Sequence, residues 1–279
     1  METQKTFKTQ VEEYLAYCRK GNRSEHYLVN ANSSFSSYIK RFGDKLEEGK
    51  LDQFLERTDR GLPRKETSAN AILERFKSLA KFHNLELAKV PSRTETQEEV
   101  VAFTSESFCE FEAKLSTVKL ESGTNLAAVA RLLVETGLRV SEFKQLQNDS
   151  LKESRGAHVV KVLGKGRKWR TVTMSDAAIK AFDKINFPIP DSLRYLNQKF
   201  AEASIGIEGI DGKAHFHMLR ATYASISINE KNIPPMLIAK EGGWTNIEVL
   251  AKHYRATNHG AMAQALNQQV KPAYTYGAI

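Results

Sequence analysis

Apolar residues recur every three or four positions through the amino-terminal third of the chain. This spacing places them on one face of a helix and predicts amphipathic helices joined by short polar segments. The two clearest apolar stripes comprise Phe7, Val11, Tyr14, Leu15 and Cys18, and Ala71, Ile72, Phe76, Leu79, Ala80 and Phe82. Residues 1–92 are therefore predicted to form a helical domain.

Polar, unpatterned residues follow this domain. Residues 91–100 show no helical or strand period, so we place a linker at 93–102 and a second domain at 103–279. The second domain contains two β-prone runs, 158–163 and 169–174, which flank the basic segment Gly-Lys-Gly-Arg-Lys at 164–168. This arrangement predicts a hairpin with a basic tip. The predicted fold is mainly α, with a helical first domain and an α+β second domain that carries a small hairpin or sheet.

Arg139 lies just beyond the end of a strongly apolar helical segment. The helix is predicted to stop at Gly137, a residue type that commonly ends helices. Ser141 and Glu142 could cap the helix that follows. Considered alone, this segment is explained equally well by structure and by function.

His217 and Arg220 are three residues apart in a second helical segment, so they share a side of that helix. Two arginines and a histidine suit an anion with several oxygens. The guanidinium group presents a planar fork of donors that matches a phosphate, and it keeps its charge at neutral pH. For either residue taken singly, a core histidine or a surface arginine is the more ordinary interpretation.

Taken in order, these motifs resemble those of the tyrosine recombinase, or phage integrase, family. The similarity runs from about Phe103 to Tyr254, and comprises Thr-Gly-Leu-Arg-Val-Ser-Glu at 136–142, the basic hairpin at 164–168, His-x-x-Arg at 217–220, Gly-Trp at 243–244 and a tyrosine soon after. The resemblance implies that DNA strands are cut and rejoined through a covalent 3′-phosphotyrosyl intermediate, without metal or ATP.

The resemblance also assigns a role to each motif residue. It implies that Arg139 and Arg220 hold the scissile phosphate and that Lys165 and His217 transfer protons. Trp244 would take the position where many members have a histidine, and Tyr254 would be the nucleophile.

The helix that carries Tyr254 departs from the family pattern in one interval. The family places the tyrosine nine residues after the His/Trp position, whereas Trp244 and Tyr254 are ten apart, and His253 stands at the ninth. Tyr254 remains the predicted nucleophile because Tyr223, Tyr274 and Tyr276 match less well. Thr245 and Glu248 could form a capping box, after which Ile247, Leu250, Ala251 and Tyr254 would share one face. A tyrosine on an apolar stripe is ordinarily a core residue, which is the structural alternative.

The charge balance agrees with a nucleic-acid partner. The chain has 41 Lys and Arg residues against 33 Asp and Glu, a net charge of +8, which favours association with phosphate backbones. The predicted partner is double-stranded DNA. The resemblance adds a homotetramer on two DNA sites, with an accessory DNA-bending protein or a partner recombinase left open.

Other features narrow the class of protein. No apolar run is long enough to span a bilayer, the amino terminus lacks a signal-peptide core, and Cys18 and Cys109 are far apart. These features predict a cytoplasmic, nucleoid-associated protein. The length leaves little room for an arm-binding domain, so a Xer-like or small-integrase type is expected.

Metal and nucleotide chemistry find little support in the sequence. His215 and His217 form a His-x-His pair, with His253 and His259 downstream, but the chain has neither a His-Glu-x-x-His nor a Cys-x-x-Cys motif. Gly164-Lys165 is not part of a Gly-x-x-x-x-Gly-Lys-Ser/Thr motif, so it does not indicate a nucleotide-binding P-loop. No metal or cofactor is therefore expected.

The most specific functional hypothesis is a site-specific recombinase that integrates or excises a mobile element or resolves dimers. One alternative is a DNA-binding regulator on the same fold that does not cut. The other is a strand transferase like the type IB topoisomerases or telomere resolvases.

Overall fold

The computed structural model describes residues 5–58, 60–87, 90–94, 101–164 and 168–254, without the side chains of residues 252–254. The chain divides into two compact units, Met1–Glu98 and Glu99–Ile279. Arg93 belongs to the first unit, because its backbone N–H donates to Asn70 (2.7 Å) and its guanidinium donates to Asp52 (2.7 Å). The predicted linker segment therefore starts with a residue that is anchored to the first unit.

The first unit contains four helices in its described residues: α1 (Phe7–Lys20), α2 (Glu25–Phe42), α3 (Glu48–Glu56) and α4 (Glu66–Phe82). Aromatic rings fill the space between them, mostly edge to face, as quadrupolar rings prefer. The central rings are those of Phe7, Phe35, Tyr38, Phe54 and Phe76.

The helical stripes predicted for this unit are confirmed in α1 and partly wrong in α4. All five predicted residues of α1 are buried. In α4, Ala71 and Phe82 are exposed, and Ala69 and Leu73 are buried in addition to the predicted residues. Phe82 lies at the last position of its helix, where its ring stacks on the exposed ring of Tyr17 at 4.7 Å.

The second unit surrounds a separate apolar core. Its described helices are α5 (Ser105–Thr117), α6 (Leu126–Thr136), α7 (Val140–Phe143), α8 (Asp176–Phe182), α9 (Leu193–Ala203), α10 (Phe216–Asn229), α11 (Pro235–Gly242) and α12 (Ile247–Tyr254). Throughout the described part of the chain, each helix is too short or too polar to cross a membrane.

A three-stranded antiparallel sheet completes the second unit. Its strands are β1 (Leu151–Ser154), β2 (Ala157–Leu163) and β3 (Trp169–Thr173), in the order β1-β2-β3. The predicted hairpin is confirmed as the β2–β3 pair, in which Val160 stands opposite Val172 and both are buried. Sequence reasoning missed β1, a four-residue strand whose last three residues are exposed. The predicted fold class, mainly α with a small sheet, is confirmed.

Gly137 ends α6 as predicted, and it is required for two reasons. Its backbone is left-handed, with φ 59° and ψ 23°, and its N–H donates to Leu133 at 2.8 Å. In addition, a Cβ at this position would lie 2.3 Å from the ring of Tyr223 on α10. The glycine therefore sets how closely α10 approaches the end of α6.

Replacing Gly137 with alanine is expected to destabilise the second unit more than the same change at Gly123. Gly123 also has a positive φ (75°), but a Cβ there meets nothing within 4 Å. Both variants take on left-handed strain of about 1–2 kcal/mol, and Gly137→Ala adds about 1–3 kcal/mol of overpacking against Tyr223. Urea unfolding followed by tryptophan fluorescence measures the difference, because both tryptophans lie in this unit. Equal losses of stability in Gly137→Ala and Gly123→Ala would show that the Tyr223 ring moves aside without a loss of free energy.

Candidate active site

Helix α10 carries Arg220 into the interior, where the residue is 4% exposed. Its Nη1 donates to the carbonyl of Gly137, and its Nη2 donates to the carbonyl of Gly242 at 2.8 Å. These carbonyls lie at the carboxyl ends of α6 and α11, where the helix dipole is negative. Two helix ends therefore hold one buried guanidinium group.

Trp244 forms one wall around this guanidinium. The Cζ atom of Arg220 lies 3.7 Å from the centre of the Trp244 ring, which is a close cation–π contact. On α10, the ring of Tyr223 is nearly parallel to that of Trp244, with centroids 6.3 Å apart. A Cβ at Gly242 would lie 1.8 Å from the Trp244 ring, so Trp244 can pack here only because Gly242 has no side chain.

Arg139 approaches the same region from the start of α7. Its Nη1 donates to Glu142 Oε1 at 2.9 Å, and its Nη2 donates to the carbonyl of Gly243 at 2.5 Å. The side chain is 28% exposed, so part of this guanidinium group faces solvent. The structure thus brings Arg139, Arg220 and Trp244 together, although the first and the last are 105 positions apart in the sequence.

Glu142 is a fully buried carboxylate at the centre of this region. One oxygen accepts from the backbone N–H of Arg139 at 2.8 Å, which is the capping contact expected from the sequence. The same carboxylate accepts from Arg170 Nε at 3.2 Å and Nη2 at 2.7 Å. Burial acts to raise the pKa of Glu142, but the hydrogen bonds and charges of Arg170 and Arg139 outweigh it, so the pKa is lowered.

Sequence reasoning missed Arg170, which comes from β3. Alternate residues of a strand face one side, and Arg170 lies two positions before the buried Val172. This alternation was the available signal that Arg170 points inward. Its Nη1 also donates to the carbonyl of Glu241 in the last turn of α11, and the carboxylate of Glu241 accepts from the backbone N–H of Thr173 at 3.0 Å.

The arginine cluster, which we define as Arg139, Arg170 and Arg220 with Glu142, carries an excess of positive charge. Three guanidinium groups face one carboxylate, which leaves two positive charges. Burial and the charges of Arg139 and Arg170 lower the pKa of Arg220 to about 9, so it remains charged at neutral pH. A partly buried excess of positive charge, with the Arg139 guanidinium partly exposed, suits a phosphate.

His217 lies one helical turn before Arg220 and is exposed to solvent. Partial desolvation lowers its pKa, and the charges of Arg220, His215 and Arg139 lower it further. The ring is therefore mostly neutral at pH 7. A neutral imidazole beside the arginine cluster can accept a proton from a reacting group.

Two predicted site residues lie outside what the structure describes. Lys165 falls in the gap between Gly164 and Lys168, and Tyr254 is described only as the last backbone position of α12. Gly164 and Lys168 close the hairpin below the gap, with an N–H to carbonyl bond of 2.9 Å. The roles of Lys165 and Tyr254 remain predictions from the sequence, and the tail after Tyr254 also lies outside the described residues.

Helix α12 begins differently from the prediction. The side chain of Asn246 accepts from the N–H of Val249 at 2.8 Å, so Asn246 caps the helix and the predicted capping box of Thr245 and Glu248 is wrong. Ile247 is 45% exposed rather than on the buried face. Leu250 is fully buried in a cluster with Tyr223 and Trp244, and Tyr254 follows it by one helical turn.

This chain is similar to known proteins in both sequence and fold. Residues 110–186 match the model of the phage integrase family. Tyrosine recombinase XerC of Caldanaerobacter subterraneus subsp. tengcongensis is 25% identical over 159 residues, which is 50% of this chain and 44% of the relative. The match therefore spans less than half of the relative's length.

Solved structures share the fold. The XerH site-specific recombinase, in a post-cleavage complex with difH substrate, has a TM-score of 0.67 at 15% identity and covers 92% of this chain and 83% of its own. The Tn1549 transposon integrase with circular intermediate DNA has a TM-score of 0.67 at 16% identity, covering 94% and 99%. A lambda integrase dimer bound to a core site has a TM-score of 0.67 at 15% identity, covering 90% and 95%. Together with the family match, this shared fold confirms the resemblance found in the sequence.

The ion pairs of Glu142 are expected to make stability depend on pH. Because the pKa of Glu142 is lowered in the folded state, its contribution is complete above the ordinary carboxyl pKa of 4.5 and is lost as the pH falls below that value. Glu142→Gln should cost about 3 kcal/mol at pH 7, and the gap from wild type should narrow below pH 4.5. Urea midpoints across this range measure it. Glu153→Gln, at an exposed position on β1, is the control, and a gap for Glu142→Gln that stays constant with pH would contradict the assignment.

Proposed function

We propose that this chain, which has the phage integrase domain and the fold of the tyrosine recombinases, is a site-specific DNA recombinase. It would cut and rejoin strands through a covalent 3′-phosphotyrosyl intermediate. The observation that carries this proposal is the arginine cluster, in which Arg139 and Arg220 converge from distant segments with two uncompensated positive charges. A site of this kind favours a phosphodiester and favours its more highly charged transition state even more.

The guanidinium groups are proposed to act on the non-bridging oxygens. A guanidinium has five N–H donors, and the side-chain bonds of Arg139 to described residues involve two of its nitrogens. Its 28% exposure gives a phosphate access to the fork. Arg220 is held more rigidly by two carbonyls and Trp244, so it supplies a fixed charge behind the phosphate.

The proposed reaction needs one group that accepts the phenol proton and one that protonates the leaving oxygen. The Tyr254 oxygen would bond to phosphorus while the bond to the 5′ oxygen breaks. Neutral His217 would accept the phenol proton, and Lys165 would donate a proton to the departing 5′ oxygen. A phenol has an ordinary pKa of about 10, so nearby positive charge is needed for it to attack at neutral pH. Rejoining is the same sequence in reverse.

Double-stranded DNA is the proposed substrate, and a homotetramer on two sites is the proposed assembly. The net charge of +8 supports contact with phosphate backbones. Integration or excision of a mobile element, or dimer resolution, would be the biological role. The DNA site is found by binding the full chain to a pool of random duplexes and recovering the retained sequence, which we call the selected duplex.

Tyr254 is expected to become covalently linked to the selected duplex. A nicked version, whose cut fragment diffuses away, should trap wild type in an adduct that resists denaturant, and Tyr254→Phe should form none. Tyr195→Phe, at an exposed position on α9, should behave as wild type. Peptide mapping distinguishes Tyr254 from His253.

The same assay separates the alternatives. An adduct with Tyr254→Phe would show that the nucleophile is wrongly assigned. Tight binding without any adduct would favour the non-cutting regulator. Adducts accompanied by relaxation of supercoils or by hairpin ends, without strand exchange, would favour the topoisomerase or resolvase alternative.

Arg139→Lys is expected to slow cleavage by ~10²-fold or more while weakening DNA binding only modestly. Lysine keeps the charge but lacks the planar fork, and many other basic side chains hold the backbone. Single-turnover cleavage and equilibrium binding of the selected duplex measure the two effects. Arg194→Lys on the exposed face of α9 serves as control. Loss of DNA binding without a change in the single-turnover cleavage rate would contradict the proposed action of Arg139 on the transition state.

Lys165→Ala is expected to slow cleavage only on substrates whose leaving group must be protonated. When sulfur replaces the bridging 5′ oxygen, the leaving group departs without being protonated. Lys165→Ala should therefore cleave such a duplex at close to the wild-type rate. Arg139→Ala should not, since it acts on the non-bridging oxygens. If sulfur restores nothing to Lys165→Ala, His217 or Lys168 becomes the acid and Lys165 a DNA contact.

A further inference from the structure

Arg170 makes the most complete set of contacts in the arginine cluster. Its Nε and Nη2 form two parallel bonds to the carboxylate of Glu142, at 3.2 and 2.7 Å, and its Nη1 donates to the carbonyl of Glu241. The side chain is 12% exposed. Because all three guanidinium nitrogens are engaged by protein acceptors, Arg170 is poorly placed to bind a phosphate itself.

Two arginines share Glu142, and they do so unequally. Arg170 binds both carboxylate oxygens, whereas the side chain of Arg139 binds one of them, at 2.9 Å. A bidentate pair is the stronger and more directional arrangement. If the side chain of Arg139 bound both oxygens, its paired N–H donors would face the carboxylate, and the carboxylate would neutralise its charge.

We propose that Arg170 is a positioning residue for the phosphate site. It occupies Glu142 with a bidentate ion pair, so Arg139 makes a single side-chain bond to that carboxylate and keeps its net charge and its remaining N–H donors for the phosphate. This inference rests on the proposed function, because it specifies how the arginine that binds the phosphate is held.

Close packing keeps this arrangement in place. A Cβ at Gly243 would lie 2.9 Å from the Arg170 side chain and 3.2 Å from Arg139 Nη1, and a Cβ at Gly164 would lie 3.0 Å from Glu142 Oε1. The carboxylate and both arginines are thus confined by backbone on two sides. Since Arg170 also ties β3 to the end of α11, the base of the Lys165 hairpin is fixed to the same helix end that binds Arg139 and Arg220.

The test replaces Arg170 both in the presence of the Glu142 carboxylate that it neutralises and in a variant without that carboxylate. In Arg170→Met, Glu142 is left to Arg139 alone, so cleavage of the selected duplex should fall about tenfold or more. Adding Glu142→Gln removes the competing charge, so the double variant should cleave faster than Arg170→Met. A purely structural role would make the double variant as slow as the single variant or slower.

A matched pair elsewhere controls for the loss of an ion pair. Arg131 on α6 donates from Nε and Nη2 to Glu112 on α5, in the same bidentate manner and away from the arginine cluster. Arg131→Met should lower the urea midpoint without a comparable change in cleavage. If Arg170→Met does not fold, Arg170→Lys replaces it, with the same comparison against its Glu142→Gln double variant.

Binding of inorganic orthovanadate provides a readout that needs no DNA cleavage. All variants carry Trp169→Phe, so the fluorescence comes from Trp244 beside Arg220. Arg170→Met should bind vanadate about tenfold or more weakly than its parent, and the double variant should recover part of that loss. Unchanged affinity in Arg170→Met, or no recovery in the double variant, would overturn the inference. Recovery of vanadate binding in a protein that forms no DNA adduct would instead overturn the proposed function alone.

Discussion

Burying a guanidinium group without neutralising it is the constraint on which this site depends. A charge removed from water must be satisfied by hydrogen bonds. A carboxylate partner would satisfy Arg220 but would cancel its charge. The structure instead uses carbonyls at the ends of α6 and α11, which offer partial negative charge. Both carbonyls belong to glycines, Gly137 and Gly242, where an added Cβ would clash with the ring of Tyr223 or Trp244.

Glu142, the buried carboxylate of the arginine cluster, sets the net charge that remains there. Glu142 is shared between Arg139 and Arg170, and the cation–π contact with Trp244 supports Arg220 without adding charge. The site therefore retains an excess of positive charge in a place where water is partly excluded and where electrostatic interactions are strong. Partial burial lowers the pKa of His217, and the charges of Arg220, His215 and Arg139 lower it further, so the ring stays neutral beside the cluster at pH 7.

The sequence was sufficient to single out Arg139, Arg220 and Trp244, which the structure brings together, because each lies at a helix end or in a short motif with a fixed spacing. It did not reveal that Glu142 pairs with Arg170, since that contact joins a helix start to a strand 28 residues later through the tertiary fold. The cap of α12 was misassigned by one residue, because Thr245 and Asn246 are both good caps and only the backbone decides between them. The catalytic roles of all six residues, Lys165 and Tyr254 included, remain predictions.

A neutral scissile phosphate tests most directly whether the arginines act by offsetting charge. In a methylphosphonate version of the selected duplex, one non-bridging oxygen is replaced by a methyl group, and the negative charge is removed. Arg139→Ala should slow cleavage of the ordinary phosphodiester by ~10²-fold or more, and should slow cleavage of the methylphosphonate by less than about tenfold relative to wild type. An equal loss on both substrates would contradict the charge-offsetting role and would leave Arg139 as a structural residue.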